Sequence, residues 1–216
     1  MKFANAYKGL KLINIAEMLN IGSMIMYIVS MVMLIAMSGG NMSSMAAQII
    51  YESGGGNVID LLNIVYLIMQ ALGILSDIML VVGINKAKTD DKKFDSAFSF
   101  ACIGLVMIII NFFVRGWFGV LLATALGIIF LFFRLRVIGA VENIAHELEN
   151  ADMSGKAKIF SVILIILMII TAIITVINQA VPAVSLLVGI IGNSFGIVKS
   201  MVFIAYLTKA LKMLKA

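Results

Sequence analysis

The chain has 216 residues, of which 62% are apolar, 12% are charged, and only one each are Pro, Cys and His. An ordinary soluble domain is about 45–50% apolar and about 25% charged. The high apolar share excludes a disordered chain, and the single Cys and single His exclude a disulfide scaffold and most zinc sites. The composition therefore predicts an integral membrane protein.

Six apolar stretches are long enough to cross a bilayer, for which a helix needs about 20 mainly apolar residues. These stretches are 18–37, 58–83, 96–114, 117–138, 159–181 and 183–207. The segments between them are too short for a separate soluble domain, so we expect a single transmembrane domain over residues 1–216. The predicted fold class is all-α: a polytopic bundle of six transmembrane helices built of three hairpins.

The basic residues predict how the spans are oriented. If the N-terminus is cytoplasmic, fifteen of the sixteen Lys and Arg residues lie on the cytoplasmic side and only Arg115 lies outside. Such a bias is the positive-inside signal of membrane proteins. We therefore expect a multi-pass protein of a plasma (inner) membrane with both termini in the cytoplasm. This topology explains the net charge of +5 without a nucleic-acid partner.

Three segments predict helix beyond or outside the spans. Residues 8–37 form one continuous helix in this interpretation, with its first turns in the cytoplasm. The outer loop 38–57 is Gly-rich at both ends and has a short interfacial helix at 45–52, which we interpret as a surface cap, with a hinged lid as the alternative. On the inner face, 134–152 predicts a helical extension of the fourth span. Its apolar face consists of Val141, Ile144, Ala145 and Leu148.

The second span carries the strongest polar pattern. Asn63, Gln70 and Asp77 follow one another at intervals of seven residues. Tyr66 shares their face of the helix. Because polar groups are costly in lipid, this stripe faces protein or water. Two interpretations stay open: the residues bridge neighbouring helices through hydrogen bonds, or they line a path for a solute.

The outer half of the fifth span repeats this pattern more weakly. Thr171, Thr175 and Asn178 share one face of the predicted helix. Since a Thr hydroxyl often bonds to a carbonyl of its own helix, this signal is less specific than the one in the second span. We group these residues with the stripe as a candidate polar path or set of helix-bridging residues.

Four spans each carry one ionisable residue near the inner boundary: Glu17, Asp77, Arg134 and Lys199. Each lies about 16–20 residues, or roughly 24–30 Å, from the outer end of its span. A charge in the hydrocarbon core costs about 2.5–3.5 kcal/mol unless it pairs or reaches the head groups. We predict an inner charge cluster in which Asp77 and Lys199 form a gate or a coupling-ion site. The alternative is a ring of interfacial charges, which suits Glu17 and Arg134 best.

The sixth span has a face of small residues. Gly189, Gly192 and Gly196 have the spacing that allows helix backbones to approach closely. Residues 192–196 also match the G-x-S-x-G motif of hydrolases, but a transmembrane helix lacks the strand-to-helix turn which that motif requires. The single His146 lies far from this position along the membrane normal. We therefore expect helix packing at these glycines and no enzymatic activity.

No motif predicts a metal or a cofactor, and we interpret the 16 methionines as packing residues rather than copper ligands. Two classes of function stay open. The first is binding or transport of a small solute, with the second, fifth and sixth spans lining the path. The second is a non-transport scaffold or accessory subunit of a membrane complex. Such a subunit would dock on a membrane-protein partner, or on a second copy of this chain, through Gly192 and Gly196 or through the helix at 140–149.

Overall fold

The structure is a computed structural model that describes residues 2–43, 45–114 and 117–215. Arg115, the basic residue expected on the outside, lies outside the described residues. The described part of the chain contains seven α-helices, one short 3-10 turn at Pro182–Val184 and no strand. The helices are α1 (Ala4–Met37), α2 (Ala46–Glu52), α3 (Gly56–Ala87), α4 (Phe94–Phe113), α5 (Trp117–Glu147), α6 (Ala151–Ala180) and α7 (Ser185–Lys215).

Six of these helices are long and apolar enough to cross a membrane. In each of them, the most apolar window of 18 residues has a mean hydropathy between 1.8 and 3.1. The prediction of an all-α chain with six long apolar helices is confirmed, and these helices indicate a multi-pass membrane protein. Several helices are longer than the predicted spans, and the extra residues lie at the end of the bundle that carries both chain termini. The helix α1, for example, begins at Ala4, whereas its predicted span begins at residue 18.

The loop between α1 and α3 contains the short helix that was predicted at 45–52. Ala46 and Ile50 of α2 are buried at 1% and 2% exposure, and α2 contacts both α1 and α3. The same loop reaches α7, because the carbonyl oxygen of Met42 accepts a 2.9 Å hydrogen bond from the backbone N–H of Leu186. These contacts place the loop against one end of the helices.

The six long helices form a closed ring. Each packs against the next one along the chain, and α7 closes the ring by packing extensively on α1. In this order α1 and α5 lie opposite each other, and among the described residues their backbones do not come into contact. The helices α5 and α7 also touch each other; for example, the hydroxyl of Tyr206 donates a 3.1 Å hydrogen bond to the carbonyl oxygen of Ile138.

The buried core fills only one end of the ring, the end that carries both chain termini. The core cluster includes α1 only as far as Ala16 and α3 only from Leu80 onward. It includes α5 only from Phe133 and α7 only from Phe203. We call this the packed end. Toward the opposite end the buried hydrophobic residues are fewer and do not belong to this cluster; Leu62, Met69 and Leu126 are examples.

The helices α1 and α3 approach most closely at two glycines of the packed end. A Cβ atom added to Gly9 would lie 2.4 Å from the carbonyl oxygen of Gly83, and one added to Gly83 would lie 2.8 Å from that of Gly9. Nearby, the buried Ser76 hydroxyl donates a 2.8 Å hydrogen bond to the carbonyl oxygen of Ala16. Sequence analysis considered close packing only in the sixth span and missed this contact.

The predicted helical extension at 134–152 is wrong at its end. The helix α5 ends at Glu147, and α6 already begins at Ala151. Asn150 is the N-cap of α6, and its Oδ1 accepts a 2.9 Å hydrogen bond from the backbone N–H of Met153. An Asn in this role satisfies an N–H group that a new helix would otherwise leave unpaired, so it starts a helix rather than continuing one.

Candidate functional site: a charged cavity inside the ring

A polar cavity of about 290 Å³ lies among the helices, next to the packed end. This volume is near the lower limit of small-molecule sites, which is about 300 Å³. Its lining comes from α1, α3, α4, α5 and α7, and Leu80 belongs both to the lining and to the core cluster. The polar side chains that line it are Asn20, Asp77, Arg134, Lys199 and Ser200.

Glu17 and Arg134 form a buried ion pair at the cavity. Nε and Nη2 of Arg134 donate hydrogen bonds of 2.9 and 2.8 Å to the two carboxylate oxygens of Glu17. The side chain of Glu17 is 1% exposed and that of Arg134 is 11% exposed. Because α1 and α5 are opposite members of the ring, this pair spans it. The two long side chains thus form a floor between the cavity and the core.

Arg134 also connects this floor to α7. Its Nη2 donates a 3.3 Å hydrogen bond to the hydroxyl of the buried Ser200. Its guanidinium carbon lies 5.7 Å from the centre of the Phe203 ring, within the range of a cation–π contact. A planar guanidinium can bind a carboxylate through two donors and a hydroxyl through the same fork, which Lys could not do. One side chain therefore joins three helices of the ring.

The alternative in which Glu17 and Arg134 reach the head groups is wrong. Both side chains point into the ring, where burial removes the water that would compete for their hydrogen bonds. Each of them offsets the desolvation cost of the other. Sequence analysis placed the two residues at the same depth but could not determine that their helices face each other.

Asp77 and Lys199 line the same cavity from α3 and α7, which are the two neighbours of α1. Both side chains are half-buried. Within the described part of the chain, neither forms a hydrogen bond or an ion pair of 4.0 Å or less. The two residues therefore line one cavity, as the predicted charge cluster requires, but do not bond to each other. A carboxylate and an ammonium group face open space in a cavity whose other acid and base are already paired.

The rest of the polar stripe of α3 lies further from the packed end. Asn63 and Tyr66 line a second cavity of about 180 Å³ between α1, α2 and α3. Gln70, which lies on α3 between these residues and Asp77, is half-buried. Among the described residues, neither Asn63 nor Gln70 forms a hydrogen bond to another helix. The structure therefore gives no support to the interpretation that these two residues bridge helices. The stripe thus has residues in two cavities, Asp77 in the charged one and Asn63 and Tyr66 in the other.

The polar residues of α6 lie away from the charged cavity, whose lining contains no described residue of that helix. The hydroxyls of Thr171 and Thr175 donate hydrogen bonds of 2.7 and 3.0 Å to carbonyl oxygens of α6 itself. The side-chain oxygen of Asn178 is buried without a hydrogen-bond partner in the structure, and so is the hydroxyl of Ser185. The structure does not bring these residues of the fifth span to the stripe of the second.

The three glycines of α7 lie at contacts with two different helices. A Cβ atom added to Gly196 would lie 2.6 Å from the sulfur of Met24, and one added to Gly189 would lie 3.4 Å from the Tyr27 hydroxyl. Both contacts are with α1. A Cβ atom added to Gly192 would lie 3.5 Å from the Ile174 side chain of α6.

Sequence reasoning missed several residues that line the charged cavity, Asn20 and Phe130 among them. Asn20 lies three positions after Glu17, and Phe130 lies four positions before Arg134. Residues three or four apart share a face of a helix. This spacing from a membrane-embedded charge is the signal that could have found both of them.

Comparisons with protein-family models, with curated proteins and with solved structures find no match for the chain. The class of protein is therefore defined by the fold and the site alone. The chain is an all-helical protein with six apolar helices of membrane-spanning length, arranged in a ring around a charged cavity.

Proposed function

We propose that this protein binds a small solute in the charged cavity and transports it across the membrane. The observation that carries the proposal is that Asp77 and Lys199 line a cavity of about 290 Å³ and form no hydrogen bond or ion pair with any other described residue. Ionisable residues within a membrane almost always pair, or else face a water-filled cavity or a substrate pathway. The proposal requires no cofactor, no metal and no catalytic activity.

The uneven packing of the ring supports a gate at the packed end. The core cluster fills that end, and the pair of Glu17 with Arg134 separates it from the cavity. The second cavity, with Asn63 and Tyr66, extends the polar stripe toward the opposite end. In this conformation a solute enters from the opposite end, and transport requires α1 and α5 to separate at the ion pair. The gate thus involves Glu17 and Arg134 as well as the residues that bind the solute.

We further propose that the packed end is cytoplasmic and that the protein lies in a plasma (inner) membrane. Fifteen of the sixteen basic residues support this orientation. The order of packing along the chain is compatible with three hairpins joined into a ring, within a single domain over residues 1–216. Fusing a reporter that is fluorescent only in the cytoplasm to the C-terminus tests the orientation, and a dark reporter on a fully inserted protein would contradict it.

The accessibility of cavity residues to water tests the proposed function. In a background in which Cys102 is replaced by Ala, we expect Asn20→Cys and Asn63→Cys to react with a charged, membrane-impermeant thiol reagent. Matched controls are Ile64→Cys and Leu75→Cys on α3, whose side chains are 55% and 47% exposed and lie on the face of this helix away from its polar stripe. These controls face lipid and should stay unmodified. Equal protection of all four positions would refute the transport proposal.

The alternative class, a scaffold or accessory subunit, has less support because its two expected docking faces are occupied within the chain. Gly196 contacts α1, and Gly192 contacts α6. Val141 and Ile144 are fully buried in the core. Native mass spectrometry of the protein released gently from its membrane separates the two classes. We expect a small-molecule adduct, whereas a stoichiometric protein companion would favour the subunit.

A further inference from the structure

We infer that the solute is a zwitterion, a small molecule with one ammonium and one carboxylate group, and specifically an amino acid with an apolar side chain. This inference rests on the proposed function and names the chemical class that the charged cavity accepts.

The first argument for a zwitterion comes from the charges around the cavity. Two acids and two bases meet there, and the bidentate pair between Glu17 and Arg134 satisfies one of each. The carboxylate of Asp77 and the ammonium group of Lys199 are left facing the cavity. An unpaired charge away from bulk water is costly. A solute with a single charge would pair with one of these groups and leave the other unpaired, whereas a zwitterion pairs with both.

The position of the two groups carries the second step. Asp77 and Lys199 lie on α3 and α7, on either side of α1, and their charged atoms are not within 4.0 Å of each other. A molecule bound between them can place its own ammonium group at Asp77 and its own carboxylate at Lys199. Asn20 and Ser200 add neutral hydrogen-bonding groups to the same lining.

The apolar lining carries the third step. The remaining side chains around the charged groups are almost all hydrophobic: Met24, Leu80, Ile108 and Phe130. They form a surface on which an apolar side chain can pack. Apolar lining with a few placed polar groups is typical of small-molecule sites. A cavity of about 290 Å³ limits the solute to a small molecule.

The first experiment measures binding of the twenty common L-amino acids, one at a time, to the full-length protein in lipid nanodiscs. A rise in melting temperature identifies binding. We expect one or more of the aliphatic amino acids, leucine for example, to stabilise the protein. If none of the twenty stabilises it, the zwitterion inference is overturned, while thiol labelling at Asn20→Cys still decides independently whether the cavity admits water and solutes.

The second experiment compares the tightest-binding amino acid with its two single-charge analogues. For leucine these are 3-methylbutylamine, which lacks the carboxylate, and 4-methylpentanoate, which lacks the ammonium group. We expect each analogue to bind at least about tenfold more weakly than the amino acid, because each loses a hydrogen-bonded charge pair. Equal affinity of the amine and the amino acid would identify a cation site at Asp77 and overturn the inference.

Variants of the two charged residues give a readout that mere loss of stability does not produce. Asp77→Asn should weaken binding of the amino acid and shift the preference toward the carboxylate analogue. Lys199→Gln should shift it toward the amine. The control Lys158→Gln removes an exposed charge of α6 and should leave all three affinities unchanged. If the variants fold but the preference shifts in neither direction, the two residues do not bind the two ends of the solute, and the inference is wrong.

Discussion

Replacing Arg134 with Met should destabilise the bundle far more than replacing both Arg134 and Glu17 with Met. The single change leaves the carboxylate of Glu17, which is 1% exposed, without a partner. Removing one member of a buried ion pair costs about 3–5 kcal/mol, whereas replacing both members with apolar residues of similar volume is often neutral or stabilising. The coupling free energy between the two substitutions should therefore be about 2 kcal/mol or more.

The assay is reversible unfolding in mixed micelles of dodecyl maltoside and sodium dodecyl sulfate, followed by circular dichroism. Four proteins complete the cycle: the wild type, Glu17→Met, Arg134→Met and the double variant. A second cycle on the exposed pair of Asp152 with Lys156 is the control, and its coupling should be only about 0.3–0.5 kcal/mol. Costs at Glu17 and Arg134 that add within about 0.5 kcal/mol would refute the argument that the pair stabilises the ring.

Four further predictions concern three single substitutions and the binding of an amino acid. Gly83→Ala should lower the free energy of unfolding by about 1–3 kcal/mol, because its Cβ would lie 2.8 Å from the carbonyl oxygen of Gly9. Gly22→Ala, which meets no atom within 4 Å, should instead stabilise α1 by roughly 0.5–1 kcal/mol in the same unfolding assay. Asn150→Ala should cost about 1 kcal/mol, measured likewise, since α6 loses its N-cap, and Asn150→Asp should restore most of the loss. A saturating amino acid that binds in the cavity should slow thiol labelling of Asn20→Cys, and unchanged labelling would place the bound molecule elsewhere.

The position of the ion pair has a consequence for the transport that we propose. Glu17 and Arg134 connect helices that make no backbone contact, so the ring at this level is held across its centre mainly by side chains. Side chains can separate without unfolding either helix, which is what a gate requires. The backbone contact of Gly9 with Gly83, in contrast, holds α1 and α3 together at the packed end. We expect α1 and α3 to move as one unit when the gate opens.

Some of this protein was readable from the sequence because the underlying physics is local. A helix rises 1.5 Å per residue and a bilayer core is about 30 Å thick, so run length alone predicts spans. The same rise places Glu17, Asp77, Arg134 and Lys199 at a similar depth. The cost of polar groups in lipid indicates that the stripe of α3 faces away from it. Length, depth and helical face are properties of one helix at a time.

Only the tertiary structure decided which charged side chains pair with each other. Depth does not say which helices are neighbours, so Glu17 could pair with Arg134 or with Lys199, and only the ring places α1 opposite α5. The sequence determined that this chain forms long apolar helices of membrane-spanning length, and it placed four charged residues at a similar depth. The tertiary structure decided which charges pair and which face a cavity, because pairing depends on distances between helices that are far apart along the chain.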